Sequence, residues 1–271
     1  MNFKKTYTPK TGYTEICRIG ECSLKRLSFG IIELNAGEKL PFATGGEEKA
    51  LILLEGHCNV SFGSTKWENI GNRATVFENR RAESVYLPRD FACEIEALDH
   101  LKIAVCGAIV SEASEPQVLR EEHVVLKKLG RVPFERETSF IIDGNSNAKR
   151  LTVGEAYCTE GNWAGFPPHK HDADDMPREC IAEEIYYFLF DPQQGFGVQC
   201  LYTSDGEIDE AYRVKNDELV EFPRGYHTTV GAPGYNTYFL WLMAGKDQGF
   251  YRSNDPDHQW VSAVENLVKK Q

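Results

Sequence analysis

Short runs of β-branched and aromatic residues, broken by glycine, proline, asparagine or aspartate, recur along nearly the whole chain. The clearest are "ALILLEG", "ESVYLPRD", "HLKIAVCGAIV", "EIYYFLFD", "GFGVQCLYT", "LVEFPRG" and "NTYFLWLMAG". Segments of this length and spacing, each bounded by turn formers, predict antiparallel strands and an all-β sandwich or barrel. A helical period shows in two places, "EPQVLREEHVVLKKLG" (115–130) and "HQWVSAVENLVKKQ" (258–271), and predicts a helix at each.

The strand pattern echoes itself. "VYLPRDFACEIEA" (Val85 to Ala97) reads like "VEFPRGYHTTVGA" (Val220 to Ala232), and "EEKALILLEG" parallels "EEIYYFLFDP" upstream of each. A repeat on this scale predicts two tandem β-barrels rather than a solenoid, whose period is about 20–50 residues. The polar stretch "SEASEPQVLREEH" divides the chain into expected domains 1–120 and 121–271. The halves differ in chemistry. His227 aligns with Ala92, and nothing ahead of Glu48 resembles the "HKH" at 169–171. The first barrel is therefore expected to be degenerate and free of metal.

Composition narrows the function classes. The 271 residues carry a net charge of −11, which argues against a nucleic-acid groove or an anionic membrane surface as partner. No apolar run approaches the ~20 residues that span a bilayer, and the N-terminal "MNFKKTYTPKTGYTE" has no signal-like core. The eight cysteines are scattered singly without CxxC spacing, which predicts reduced thiols and a cytoplasmic location.

Seven histidines are too few to be spent idly, yet two of them stand one residue apart in "FPPHKHDADD". On a strand His169 and His171 share a face while Lys170 points away. Pro167 and Pro168 favour an edge or rim strand. Glu184 heads the strand on which Tyr186 and Phe188 share its face, and His227 follows a Pro-Arg-Gly turn. Three imidazoles and a carboxylate suit a divalent transition ion. Glu183 is a rival carboxylate, and Asp172, Asp174 and Asp175 are weaker ones. The competing reading is a surface His-x-His with a solvated Glu184.

This constellation resembles the cupin superfamily, in which His-x-His and Glu precede a Pro-x-Gly turn and a further His. The twelve residues between His171 and Glu184 exceed the common cupin gap, so "DADDMPRECIAE" is expected to loop out. "GNWAGFPPHKHD", "EEIYYFLFDPQQGFGVQCLYT", "VEFPRGYHTTVGAPGYNTYFLWLMAG" and "DPDHQW" look like the bacterial 5-deoxy-glucuronate isomerase family of myo-inositol catabolism. The resemblance implies a bicupin with one divalent metal ion on His169, His171, Glu184 and His227. Zn or Mn is expected first, with Fe, Co or Ni compatible. It implies conversion of 5-deoxy-D-glucuronate to 2-deoxy-5-keto-D-gluconate, by an enediol route or a direct hydride shift. Tyr186, Gln199 and Tyr202 are candidates for acid, base or orienting roles. Arg224, Arg150 and Arg178 are candidates for the uronate carboxylate, Arg224 first. His258 is expected against the barrel mouth, a surface or a neighbouring subunit of a homo-oligomer. The alternatives are a 4-deoxy-L-threo-5-hexosulose-uronate ketol-isomerase, a metal-dependent cupin oxygenase and a non-catalytic sugar-binding cupin.

Overall fold

Alternation along the strand Ala182–Asp191 sets the architecture. Tyr186, Phe188 and Phe190 turn to one side and pack with Phe222, Phe239 and Trp241. Ile185, Tyr187 and Leu189 turn to the other and meet Leu240 and Leu242 together with Phe29, Ile52 and Leu54 of the first half. Both faces are buried, so the strand reads as an unbroken apolar run. The strand Glu47–Glu55 behaves alike, with Leu51 and Leu53 on one side and Ala50, Ile52 and Leu54 on the other.

The computed structural model describes residues 2–78, 80–158, 161–246 and 248–262. It is all-β, with four antiparallel sheets of seven, six, five and four strands. The six- and four-stranded sheets enclose the core of the first barrel. The seven- and five-stranded sheets enclose that of the second. A third apolar layer joins the barrels back to back. Set into the joint is an ion pair: Arg73 meets Glu155 at 2.9 Å, with both side chains buried.

The two halves also exchange edges. Lys4–Thr6, at the start of the chain, pairs with Glu218–Phe222 in the second barrel's sheet. Gln117–Leu119 pairs with Ser84–Leu87 in the first. Two carboxylates mirror each other across the joint. Glu48 accepts hydrogen bonds from the backbone N–H groups of Lys149, Arg150 and Leu151. Glu183 accepts them from Lys25 and Arg26.

Two sequence expectations need correction. Residues 115–130 form no helix but the strand Gln117–Leu119, a 3-10 turn Glu121–His123 and the strand Val125–Leu129. Each strand finds a partner, Ser84–Leu87 for the one and Arg136–Ile142 for the other, and pairing overrides the weak helical period. The internal alignment also shifts by one. Lys49 pairs with Leu87 and Gly107, as Glu184 pairs with Phe222 and Met243, so Glu48 matches Glu183 and Lys49 matches Glu184. Of the second helix expected, at 258–271, residues 260–262 are helical, and 263–271 lie outside the described residues.

Candidate metal centre

Two paired strands, Trp163–Lys170 and Tyr226–Gly231, bring His169 directly opposite His227. Their ladder breaks between Ala164 and His169, where Pro167 and Pro168 have no N–H to contribute. The proline-bearing strand is not an edge, because Ser253–Asn254 pairs along its other side, with Asn254 against His169. Gly165 has a positive φ of 62°, and a Cβ there would lie 3.1 Å from the ring of His169. A glycine is thus needed both for the backbone turn and for the imidazole to lie close.

Glu184 points inward from the neighbouring sheet, fully buried. Its Oε2 lies 2.9 Å from Nε2 of His171 and 2.9 Å from Nε2 of His227. The ligand atoms of His169, Glu184 and His227 all lie within 4.8 Å of one another, a group that can hold a metal ion. On each ring Nδ1 faces a backbone carbonyl: Gly165 O at 3.2 Å for His169, Ala182 O at 2.8 Å for His171 and Gly225 O at 3.2 Å for His227. A carbonyl only accepts, so a neutral ring here holds its proton on Nδ1 and turns the Nε2 lone pair toward a cation, whereas without a cation His171 Nε2 donates to Glu184 only as the imidazolium. The buried Nε2 of His169 and Oε1 of Glu184 have no hydrogen-bond partner. Lone pairs gathered this way, with buried acceptors unsatisfied, fit a bound cation.

Protonation follows the same logic. Burial, with the nearby charges of Arg252 and the other histidines, holds His169 well below the usual histidine value. Burial also lowers His227, despite the pull of Glu184. Burial works to lower His171 as well, but its hydrogen bond to Glu184 and that carboxylate's charge outweigh it and leave His171 raised. Burial would raise Glu184, yet His171 and His227 hold it below the usual carboxylate value.

The insertion between His171 and Glu184 folds over its own ion pairs. Lys170 contacts Asp172 and reaches Glu179 at 2.7 Å, while Glu179 accepts from the backbone of Asp172 and Ala173. Asp172 in turn accepts from Gly225 N–H, tying the insertion to the turn that carries His227.

A cavity opens on the site, lined by His169, Glu184 and Tyr186 together with Phe140, Trp241, Phe250, Arg136 and Arg252. Of the other sequence candidates, Tyr186 alone lines it. The buried Gln199 donates to Thr228 O and Cys200 O. Tyr202 donates to Asp255. Arg224 is exposed, on Asp205 and Glu207; Arg150 contacts Glu112, and the exposed Arg178 pairs with Asp175. Sequence reasoning missed Arg136 and Arg252. Arg252 carried one available signal, its place eight residues before the motif tryptophan of "DPDHQW".

The family model of the KduI/IolB family matches residues 4–261. The chain belongs to the KduI/IolB family. Among curated members, the 5-deoxy-glucuronate isomerase of Geobacillus thermodenitrificans is 39% identical over 244 residues, covering 90% of this chain and 89% of the relative. That of Bacillus subtilis is 35% identical over 240 residues, covering 88% of each. The crystal structure of an IolB-like protein from Salmonella typhimurium superposes with a TM-score of 0.92 at 30% identity, covering 97% of this chain and all of that one. Oxalate decarboxylase from Lactobacillus farciminis shares the fold, with a TM-score of 0.69 at 11% identity over all of this chain and 93% of that one. This KduI/IolB member is thus a two-barrel cupin. Among its described residues no helix is long and apolar enough to cross a membrane.

Proposed function

We propose that this chain is a metal-dependent aldose–ketose isomerase converting 5-deoxy-D-glucuronate to 2-deoxy-5-keto-D-gluconate. Residues 121–271 carry the metal centre, and residues 1–120 form a barrel without one. The observation that carries the reading is that ligand atoms of His169, Glu184 and His227 lie within 4.8 Å of one another, with Nε2 of His171 2.9 Å from the same carboxylate, in a chain 39% identical to a curated isomerase. His169, His171, Glu184 and His227 hold the ion, with Zn or Mn the first choice and Fe, Co or Ni compatible with the donor set. Bound there, a divalent ion supplies Lewis acidity to the C1 carbonyl and C2 hydroxyl oxygens.

The protein's own groups do the rest. Phe140, Trp241 and Phe250 give the cavity an apolar wall. Burial and the charge of Glu184 push Tyr186 far above the usual tyrosine value, so it acts as a hydroxyl donor to substrate. Gln199 and Tyr202 support the site from behind. Gln199 braces the His227 strand through Thr228 O, and Tyr202 holds Asp255 beside the strand that covers His169. Among the described lining residues, no carboxylate or imidazole stands outside the metal-holding set. That favours hydrogen transfer within the substrate: the O2 proton leaves, hydride moves from C2 to C1, and O1 gains a proton.

Incubating metal-loaded protein with 5-deoxy-glucuronate and, separately, 4-deoxy-L-threo-5-hexosulose-uronate tests the substrate. Faster loss of the 5-deoxy-glucuronate aldehyde is expected. Preference for the second acid would move the activity to the ketol-isomerase reading, and oxygen uptake by iron-loaded protein would move it to the oxygenase. Deuterium placed at C2 is expected at C1 of the product; its exchange with solvent would establish the enediol route.

A further inference from the structure

Arg252 reaches the cavity because the Ser253–Asn254 strand beside it pairs with the strand carrying His169. The side chain is mostly buried, with its guanidinium 5.4 Å from the centre of the Phe250 ring, and that ring lies 6.2 Å from His169. Among the described residues, no carboxylate pairs with Arg252 and no hydrogen bond engages its five N–H donors. The nearest charges in the lining add to the problem. Arg136 stands on the same cavity, and the one lining carboxylate, Glu184, is shared between His171 and His227. Burial, and then the charge of Arg136, pull Arg252 below its usual value. A partly buried guanidinium without protein partners has lost some of its water and keeps its N–H donors for a ligand. A fold keeps such a group where a ligand completes it.

We infer that Arg252, aided by Arg136, is the carboxylate clamp that selects a sugar acid over a neutral sugar and places its far end away from the metal ligands. The inference rests on the proposed sugar-acid isomerisation and names the residues that recognise its charge. The planar fork of arginine matches a carboxylate with two parallel hydrogen bonds, which a neutral amide cannot reproduce. The cavity has the chemistry this requires: His169 and Glu184, two guanidiniums, and the apolar Phe140, Trp241 and Phe250 line one space. An acid with a carbonyl at one end of a short chain and a carboxylate at the other offers a group to each set. Arg252 thereby fixes orientation as well as charge.

The test compares D-glucuronate with D-glucuronamide as probes, by calorimetric titration of the metal-loaded full chain, so that it does not depend on turnover. Wild type is expected to bind the acid about ten- to a hundredfold more tightly than the amide. R252Q is expected to bring the two within about threefold, while metal content stays at the wild-type value. R252K, which keeps the charge and loses the fork, is expected to fall between them and guards against a folding defect in R252Q. R136Q is expected to reduce the preference less than R252Q does. Equal binding of acid and amide by wild type overturns the clamp, as does a preference that survives in R252Q. A preference abolished by R252Q in a protein that fails to isomerise 5-deoxy-glucuronate upholds the clamp and sinks the proposed reaction instead.

Discussion

The second barrel sets His169 opposite His227 across two paired strands, and the first barrel sets Ala43 opposite Ala92 at the matching place. Where the second has Glu184, the first has Lys49. The ammonium of Lys49 lies 2.8 Å from Ser28 Oγ and 2.9 Å from Glu47, packed so closely on Gly107 that a Cβ there would meet it at 2.6 Å. The first barrel thus has its own buried cation at a position where the second has a buried carboxylate. Both barrels keep the Pro-Arg turn, the apolar strands and a carboxylate reaching across the joint. What the two barrels share is scaffold, and what they do not share is the candidate chemistry.

The most severe way to break the comparison is to remove the ligands. H169A and E184Q are each expected to take metal content from one ion per chain to near none and to abolish turnover. Chelation of the wild type is expected to lower its melting temperature, since an ion at a thousandfold its dissociation constant stabilises by about 4 kcal/mol. Elemental analysis and a melting curve suffice. Two ions per chain, or one surviving in H169A, would end the claim that the first barrel holds none.

Next comes the joint. In R73M, Glu155 is left fully buried without its cation, which is expected to cost about 3–5 kcal/mol in denaturant unfolding. Metal content at native conditions should hold, because the pair lies between the barrels rather than in either. K49M, which strips Ser28 and Glu47 of a buried partner, is expected to cost about 1–3 kcal/mol, again without loss of metal. A fall in metal content in K49M would mean that the first barrel takes part in binding. E183Q ranks lower still. Its carboxylate serves Lys25 and Arg26 backbone N–H groups on the face opposite Glu184, so about 1 kcal/mol of stability and no metal should be lost. Loss of metal in E183Q with retention in E184Q would reverse the assignment of the two carboxylates.

These contrasts also mark what sequence could and could not supply. That His169, His171 and His227 gather near Glu184 was legible because strand alternation puts His169 and His171 on one face and because Glu184 heads an unbroken apolar strand. The strand pairings that seat Val125–Leu129 and Ser253–Asn254 were not, since their partners lie elsewhere in the chain and the local pattern is weak. Arg252 escaped for the same reason: nothing around it announces a site until the Ser253–Asn254 strand is laid beside His169. The one-residue slip in the internal alignment had a simple source, the repeated Glu-Glu in both halves. Only the cross-strand partners Leu87 and Phe222 decide which glutamate matches which.

The smallest effect is expected at Arg224, and it bears most directly on the shared turn. Arg224 and Arg89 occupy the same position in the two Pro-Arg elements. Arg224 sits on Asp205 and Glu207 at the surface, and Arg89 on Asp90 and the carbonyl of Val110. Exposed ion pairs of this kind contribute little, because water screens them and ordering the side chains costs entropy. An arginine kept in both barrels, while the histidine beside it is kept in one, is explained by the turn rather than by the reaction. R224M is therefore expected to leave metal content, melting temperature and the preference for acid over amide at their wild-type values, measured beside R252Q in the same titration. A loss of acid preference in R224M matching that in R252Q would tie the turn to substrate binding and give the duplicated arginine different work in the two barrels.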